Sequence, residues 1–203
     1  MFRSRSVVIA MLLAMFTAAA AAQSGVGPEA PDKIDFPEVE GWEKGDVYVY
    51  PEPDLGYSVT YQSSEGGNVT IYVYNGGRKK IADGHDSKEV ANELKNAKAE
   101  IKRVVELGVY EKAESVKSDV VSLGGGIKAV REVMNLTVRG TKLTSEIYVF
   151  GHNNQFIKFR ATRPFEAGGA INSSVMSLFE AVAKTLSEEN TPARVGATEG
   201  AMR

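Results

Sequence analysis

The chain has 203 residues, 43% of them hydrophobic and 25% charged, with 24 Lys and Arg against 26 Asp and Glu. A net charge of −2 excludes a protein built to neutralise a nucleic-acid backbone, and the hydrophobic content excludes both a disordered chain and a multi-span membrane protein. The absence of cysteine excludes disulfides, thiolate metal sites, a cysteine nucleophile and a lipid-modified N-terminal cysteine.

Residues 1–22 read as a signal peptide: Arg3 and Arg5, then the apolar run VVIAMLLAMF, then small residues suited to cleavage near Ala22. The apolar run is too short for a spanning helix, which needs about 20 residues, so no integral span is expected once it is removed. The location implied is the periplasm or beyond. Residues 23–45 contain prolines and acidic groups without a lasting period and read as an extended leader. Phe36 and Trp42 can pin its later half to the domain. A single domain is expected over 46–187, and a frayed tail over 188–203.

The folded part opens with β patterns at 47–50, 56–62 and 68–74, separated by PEPDLG and SSEGG. SSEGG is a hairpin link, and NVTIYVY, apolar on both faces, suits an interior strand. Val90, Leu94, Ala97, Ile101, Val104 and Val105 then repeat at helical spacing over 87–107, with Asp86 and Glu89 placed as a capping box and Gly108 as terminator.

Four more strands follow, at 113–123, 127–139, 142–150 and 155–162. Their links are short enough to force an antiparallel meander. Alternation predicts one buried face of Val130, Met134, Leu136, Val138, Ile147, Val149, Ile157 and Phe159. It predicts a wetter face of Arg131, Asn135, Glu146, Lys158 and Arg160. A last helix begins at Asn172 or Ser173 and carries Val175, Leu178, Phe179, Val182 and Leu186 on one stripe. The fold class is therefore α+β: an antiparallel sheet of about six to seven strands, in the order three strands, helix, four strands, helix, flanked by the two helices.

The strand entry GYSVTYQ, the following NVTIYVY, the long amphipathic helix, the meander ending in VFGHNNQFIKFRATRP and the final helix together resemble the PsbP-like fold group. That group includes the extrinsic photosystem II subunit and small bacterial envelope proteins of the DcrB kind. The resemblance spans roughly 47 to 187 and rests on element order. It implies a secreted, non-catalytic accessory or assembly protein with a PsbP-like sandwich. It implies no particular site residue, and the lipid-attachment cysteine of some bacterial members is absent here.

Chemistry has few anchors. His85 and His152 are the only histidines. The first lies between Asp83 and Asp86, where a hard cation or an Asp-His pair would be the core of an alternative reading as an envelope hydrolase or metal-dependent enzyme. The spacing fits no EF-hand or H-E-x-x-H pattern, and turn and capping chemistry accounts for the same residues. His152, in GHNN, reads as a turn. No G-x-S-x-G elbow is present, and SLGGGIK precedes a strand rather than the helix a phosphate loop needs.

Tyr48, Tyr50, Tyr57, Tyr61, Tyr72 and Tyr74 crowd into the first three strands and form a candidate aromatic platform for a small ligand. Arg131, Lys158 and Arg160, if they share an open face, form a second candidate surface for an acidic partner. No cofactor or metal is expected. The leading expectation is an exported envelope protein that binds a partner protein or small ligand and does no chemistry of its own.

Overall fold

Residues 34–165 and 172–189 are described by the structure, a computed structural model. The segments expected to be a signal peptide (1–22), a leader before residue 34 and a tail from residue 190 lie outside the described residues. Eight strands make one antiparallel sheet: β1 (Trp42–Lys44), β2 (Tyr48–Val49), β3 (Tyr57–Ser63), β4 (Asn68–Tyr74), β5 (Lys112–Gly124), β6 (Ile127–Val138), β7 (Thr141–His152) and β8 (Gln155–Pro164). Helix α1 (Lys88–Glu106) follows β4, and α2 (Ser173–Glu189) follows β8. The spatial order is β1-β3-β4-β8-β7-β6-β5, with β2 also paired to β3. The strand beyond the expected count is β1, drawn from the stretch read as leader.

The meander closes through turns that its residues favour. Asn153 and Asn154 both have positive φ between His152 and Gln155, and Arg139 and Gly140 do the same between Val138 and Thr141. Two successive left-handed residues match the right-handed twist of the flanking strands, and asparagine and glycine accept that conformation at little cost.

Each helix covers one face of the sheet, so the protein is a three-layer sandwich. On α2, Val175, Leu178, Phe179, Val182, Ala183 and Leu186 are buried against Tyr148, Phe150, Ile157, Phe159, Ala161, Val59, Ile71 and their neighbours. On α1, Val90, Ala97, Ile101 and Val104 are buried with Tyr72, Tyr74, Met134, Leu136, Val138, Ile147, Val149 and Phe156. Each such apolar side chain contributes roughly 1.5–3 kcal/mol through burial.

Two expectations are corrected here. Ile157 and Phe159 belong to the α2 side, because Phe159 pairs with Tyr148 and Tyr148 with Arg131, while Met134 and Leu136 lie on the α1 side. With helices on both faces, alternation along a strand no longer separates a dry face from a wet one. The cap of α1 is Ser87 rather than Asp86: its Oγ accepts the Val90 amide at 3.1 Å, from an extended backbone at φ −76° and ψ 154°. Asn172 caps α2, its side-chain oxygen accepting from the amides of Ser174 and Val175.

The end of the leader is fastened to the α2 side. Phe36 and Trp42 are buried, the Ile34 amide donates to the Tyr57 hydroxyl at 3.0 Å, and the Tyr61 hydroxyl donates to the Pro37 carbonyl at 2.8 Å. Trp42 Nε1 donates to the Ser174 carbonyl at 3.3 Å, tying the leader to α2.

Candidate functional site

The six clustered tyrosines separate because side chains alternate along each strand. Tyr57 and Tyr61 point to the α2 side and are 1% and 0% exposed, where they hold the leader. Tyr50, Tyr72 and Tyr74 belong to the α1 side. Tyr48 joins them, since it pairs with Ser58 and its ring meets that of Tyr50 edge-on with centroids 5.0 Å apart. Tyr48 alone is well exposed, at 58%.

The three cations separate in the same way. Arg131 lies on the α2 side and is 1% exposed, whereas Lys158 pairs with Tyr72 and Arg160 with Thr70 on the α1 side. An open face shared by all three does not exist, because β7 lies between β6 and β8 and its register puts Arg131 in line with Phe159, one residue out of phase with Lys158 and Arg160.

What the fold assembles is a mixed group between the sheet and one edge of α1. Helix α1 packs over β5, β6 and β7. The β3–β4 end of the same face is more open, with Thr60 and Thr70 half-buried and Gln62 exposed. Lys158 Nζ lies 5.2 Å from the centre of the Tyr72 ring and 4.9 Å from that of Tyr74, a cation-π arrangement, and 3.8 Å from Glu93 Oε1. The Tyr74 hydroxyl donates to the same Glu93 oxygen at 2.5 Å. Arg160 donates from an Nη to the Tyr110 hydroxyl at 3.2 Å, and its Nε is buried with no hydrogen-bond partner. Hydroxyls line the floor: Tyr50 with Ser58 at 3.2 Å, and Thr60 with Thr70 at 3.0 Å.

Glu93 and Glu100, one α1 face apart by seven residues, complete the group. Neither stands out in the sequence, because acidic residues on an amphipathic helix normally face water. The only signal is their spacing beside the apolar stripe. Burial raises the Tyr74 hydroxyl well above its ordinary pKa, with Glu93 reinforcing the shift. Burial likewise pushes the Glu100 carboxyl up, against the pull of Lys158 and Arg160.

An acid raised in the folded state contributes stability that is whole below its unfolded pKa and declines as pH rises through the folded one. Glu100→Gln is therefore expected to match the wild type in urea melts below pH 4.5 and to be more stable at pH 7. A variant less stable at pH 7 would mean that Lys158 and Arg160 require the carboxylate.

Loop geometry sets the outer wall. Gly56 has φ +59° and ψ −122°, and a Cβ there would lie 2.0 Å from the Val73 carbonyl oxygen. Only glycine allows the chain to pass that close to β4. Its own carbonyl accepts the Tyr50 amide at 2.9 Å, which places Tyr50 over the floor.

The loop that carries Asp83, His85 and Asp86 is fastened to the β7–β8 end of the sheet. Gly84 and Gly151 exchange backbone hydrogen bonds at 2.9 and 2.8 Å, and Asp83 Oδ1 accepts the Asn153 amide at 2.9 Å. Among the described residues no three of His, Cys, Asp and Glu gather where they could hold a metal ion. A cavity of about 230 Å³ opens on the α2 side between Trp42, Gly67, Arg163 and Val175, apart from the tyrosine group. No helix among the described residues is long and apolar enough to cross a membrane.

No protein-family model matches the chain, and comparison with curated proteins finds no match. Among solved structures it is similar to the solution structure of cyanobacterial PsbP (CyanoP) from Synechocystis sp. PCC 6803, at 15% identity and a TM-score of 0.44. The match covers 72% of this chain and 81% of that one.

Proposed function

We propose that this chain is an exported protein of the cell envelope that works by binding, without chemistry of its own, and that its contact surface is the tyrosine-lined part of the sheet beside α1. One observation carries the reading: Tyr48, Tyr50, Tyr72 and Tyr74 share one face with Lys158 and Arg160, with Tyr48 exposed at its rim and the others buried beside α1. Aromatic rings, a row of hydroxyls from Ser58, Thr60 and Thr70, and the adjoining ionic pair suit a polar extended ligand such as a glycan or a peptide segment of an envelope partner. The export segment at residues 1–22 supports the location. The fastening of the Asp83–His85 loop to the β7–β8 turn supports a binding role over a hydrolytic one.

Native mass spectrometry of the protein recovered from its host's envelope tests this. Wild type is expected to carry the added mass of a small molecule or second polypeptide, and Tyr48→Ala to lose most of it. Tyr48 is the suitable position because it is exposed, so its loss leaves the core intact. A wild type free of added mass, or a bound species indifferent to Tyr48→Ala and to Thr70→Lys, would remove the reading.

A further inference from the structure

The other end of the sheet carries a separate feature. Among the described residues β5 is the longest strand, with 13 residues, and pairs with β6 alone. Residues 114–118 are exposed without interruption. Its charges run Lys112, Glu114, Lys117, Asp119. In a regular strand Glu114 and Lys117, three residues apart, would point to opposite faces. The bulge between Ser115 and Lys117 shifts the register by one, so that Lys112 pairs with Thr137, Glu114 with Asn135, Lys117 with Val133 and Asp119 with Arg131. All four charges therefore lie on the α2 side of this edge.

We propose that β5 pairs with β5 of a second copy of the chain, antiparallel about a two-fold axis between Ser115 and Val116. In that register Lys112 faces Asp119 of the second copy and Glu114 faces Lys117 of the second copy, and symmetry makes each contact twice. The pattern is self-complementary only because the bulge brings both halves of it to one face. Bulges ordinarily guard an edge, since a regular strand cannot follow one. Here bulge meets bulge, two residues against two, so the same irregularity that rejects other strands fits this one. Lys112–Glu114 and Lys117–Asp119 pair within the strand at 2.8 Å, and Arg131 also binds both oxygens of Asp119, yet both lysines are more than half exposed and can exchange partners across the axis, each Asp119 oxygen keeping a second lone pair for Lys112. Val116 and Val120, 43% and 50% exposed, lose water in the same step. Among the described residues the opposite end of the sheet offers no comparable edge, as β1 and β2 have three and two residues. The dimer leaves the tyrosine face free, so the two proposals stand or fall separately.

Sedimentation equilibrium on the full chain purified after export tests the pairing. A dimer with a dissociation constant on the order of 10–100 μM is expected, weakening as salt is raised. Glu114→Lys and Lys117→Glu each place like charges opposite one another twice, and each is expected to weaken the dimer about tenfold or more. An equimolar mixture of the two variants restores complementarity and should associate as tightly as wild type, as should the double variant E114K/K117E. Far-UV circular dichroism checks that each variant is folded. A wild type that is monomeric at several hundred micromolar, on the order of ten times that dissociation constant, would overturn the proposal. So would single variants that dimerise unchanged, variants that fail to recover on mixing, or a β5 edge that captures only an unrelated polypeptide.

Discussion

Phe179→Ala is expected to destabilise the protein by about 3–5 kcal/mol, read as a shift in the urea midpoint without loss of cooperativity. Phe179 is fully buried, and its ring stacks on Phe159 and meets Tyr148 edge-on, both with centroids 4.6 Å apart. Truncation removes the largest side chain that α2 inserts into the sheet and leaves a cavity that Leu178 and Val182 cannot fill, because both are already packed in the same cluster. Such a loss would exceed the contribution of any single surface ion pair, about 0–1 kcal/mol. A cost below about 1 kcal/mol would mean that α2 is not seated on the sheet as described.

Arg131→Leu is expected to cost a similar amount, about 3–5 kcal/mol at neutral pH, for an electrostatic reason. Arg131 donates from Nε and an Nη to both oxygens of Asp119 at 2.8 and 2.9 Å, and from the other Nη to Glu146 at 3.3 Å. Glu146 has no exposed surface, and burial raises its carboxyl pKa even with Arg163 and Arg131 beside it. Without Arg131 that carboxylate keeps the desolvation cost and loses one of its two cations. Glu146→Gln in the same chain is expected to recover much of the loss.

The pH dependence separates this from simple cavity formation. Arg131 holds Asp119 down to a pKa of about 2, below its ordinary 3.8. A depressed acid contributes stability above its unfolded pKa and loses it as pH falls through the folded one, so in the wild type this contribution fades between about pH 4 and pH 2. The variant lacks it, and its Glu146, raised further, weakens the fold as pH rises. The gap between wild type and Arg131→Leu should therefore be widest near pH 7 and shrink toward pH 3. A pH-independent gap would point to packing alone.

Element existence was largely legible from the chain. Val90, Ala97, Ile101 and Val104 repeat at the period of a helix, and Val175, Leu178, Val182 and Leu186 do so again, so both helices follow from hydrophobic spacing that needs no tertiary partner to be seen. GHNN and SSEGG announced hairpins because their residues tolerate left-handed backbone. NVTIYVY read correctly as an interior strand, since β4 lies between β3 and β8. The candidate site was half legible: the sequence places the tyrosines on the first strands, but only register shows that Tyr48, Tyr50, Tyr72 and Tyr74 share a face while Tyr57 and Tyr61 take the other.

The rest was set by register and layering. Period-two alternation identifies the two faces of a strand but cannot say that both are dry, so it groups Ile157 and Phe159 with Met134, and Arg131 with Lys158 and Arg160, across a sheet that in fact separates them. Glu93 and Glu100 join the group only because α1 lies against this part of the face, a placement set by packing over β5 to β7 and by the Lys98–Glu132 ion pair at 2.9 Å. The charges of β5 fell on one face only through a bulge, which one extra residue in one strand against its neighbour creates and which a single strand's sequence does not reveal. Composition and periodicity by themselves determined an α+β chain with two amphipathic helices and a meander. Which side chains meet, and across which face, was decided by the pairing of strands far apart in sequence, because contact depends on register and local pattern does not encode it.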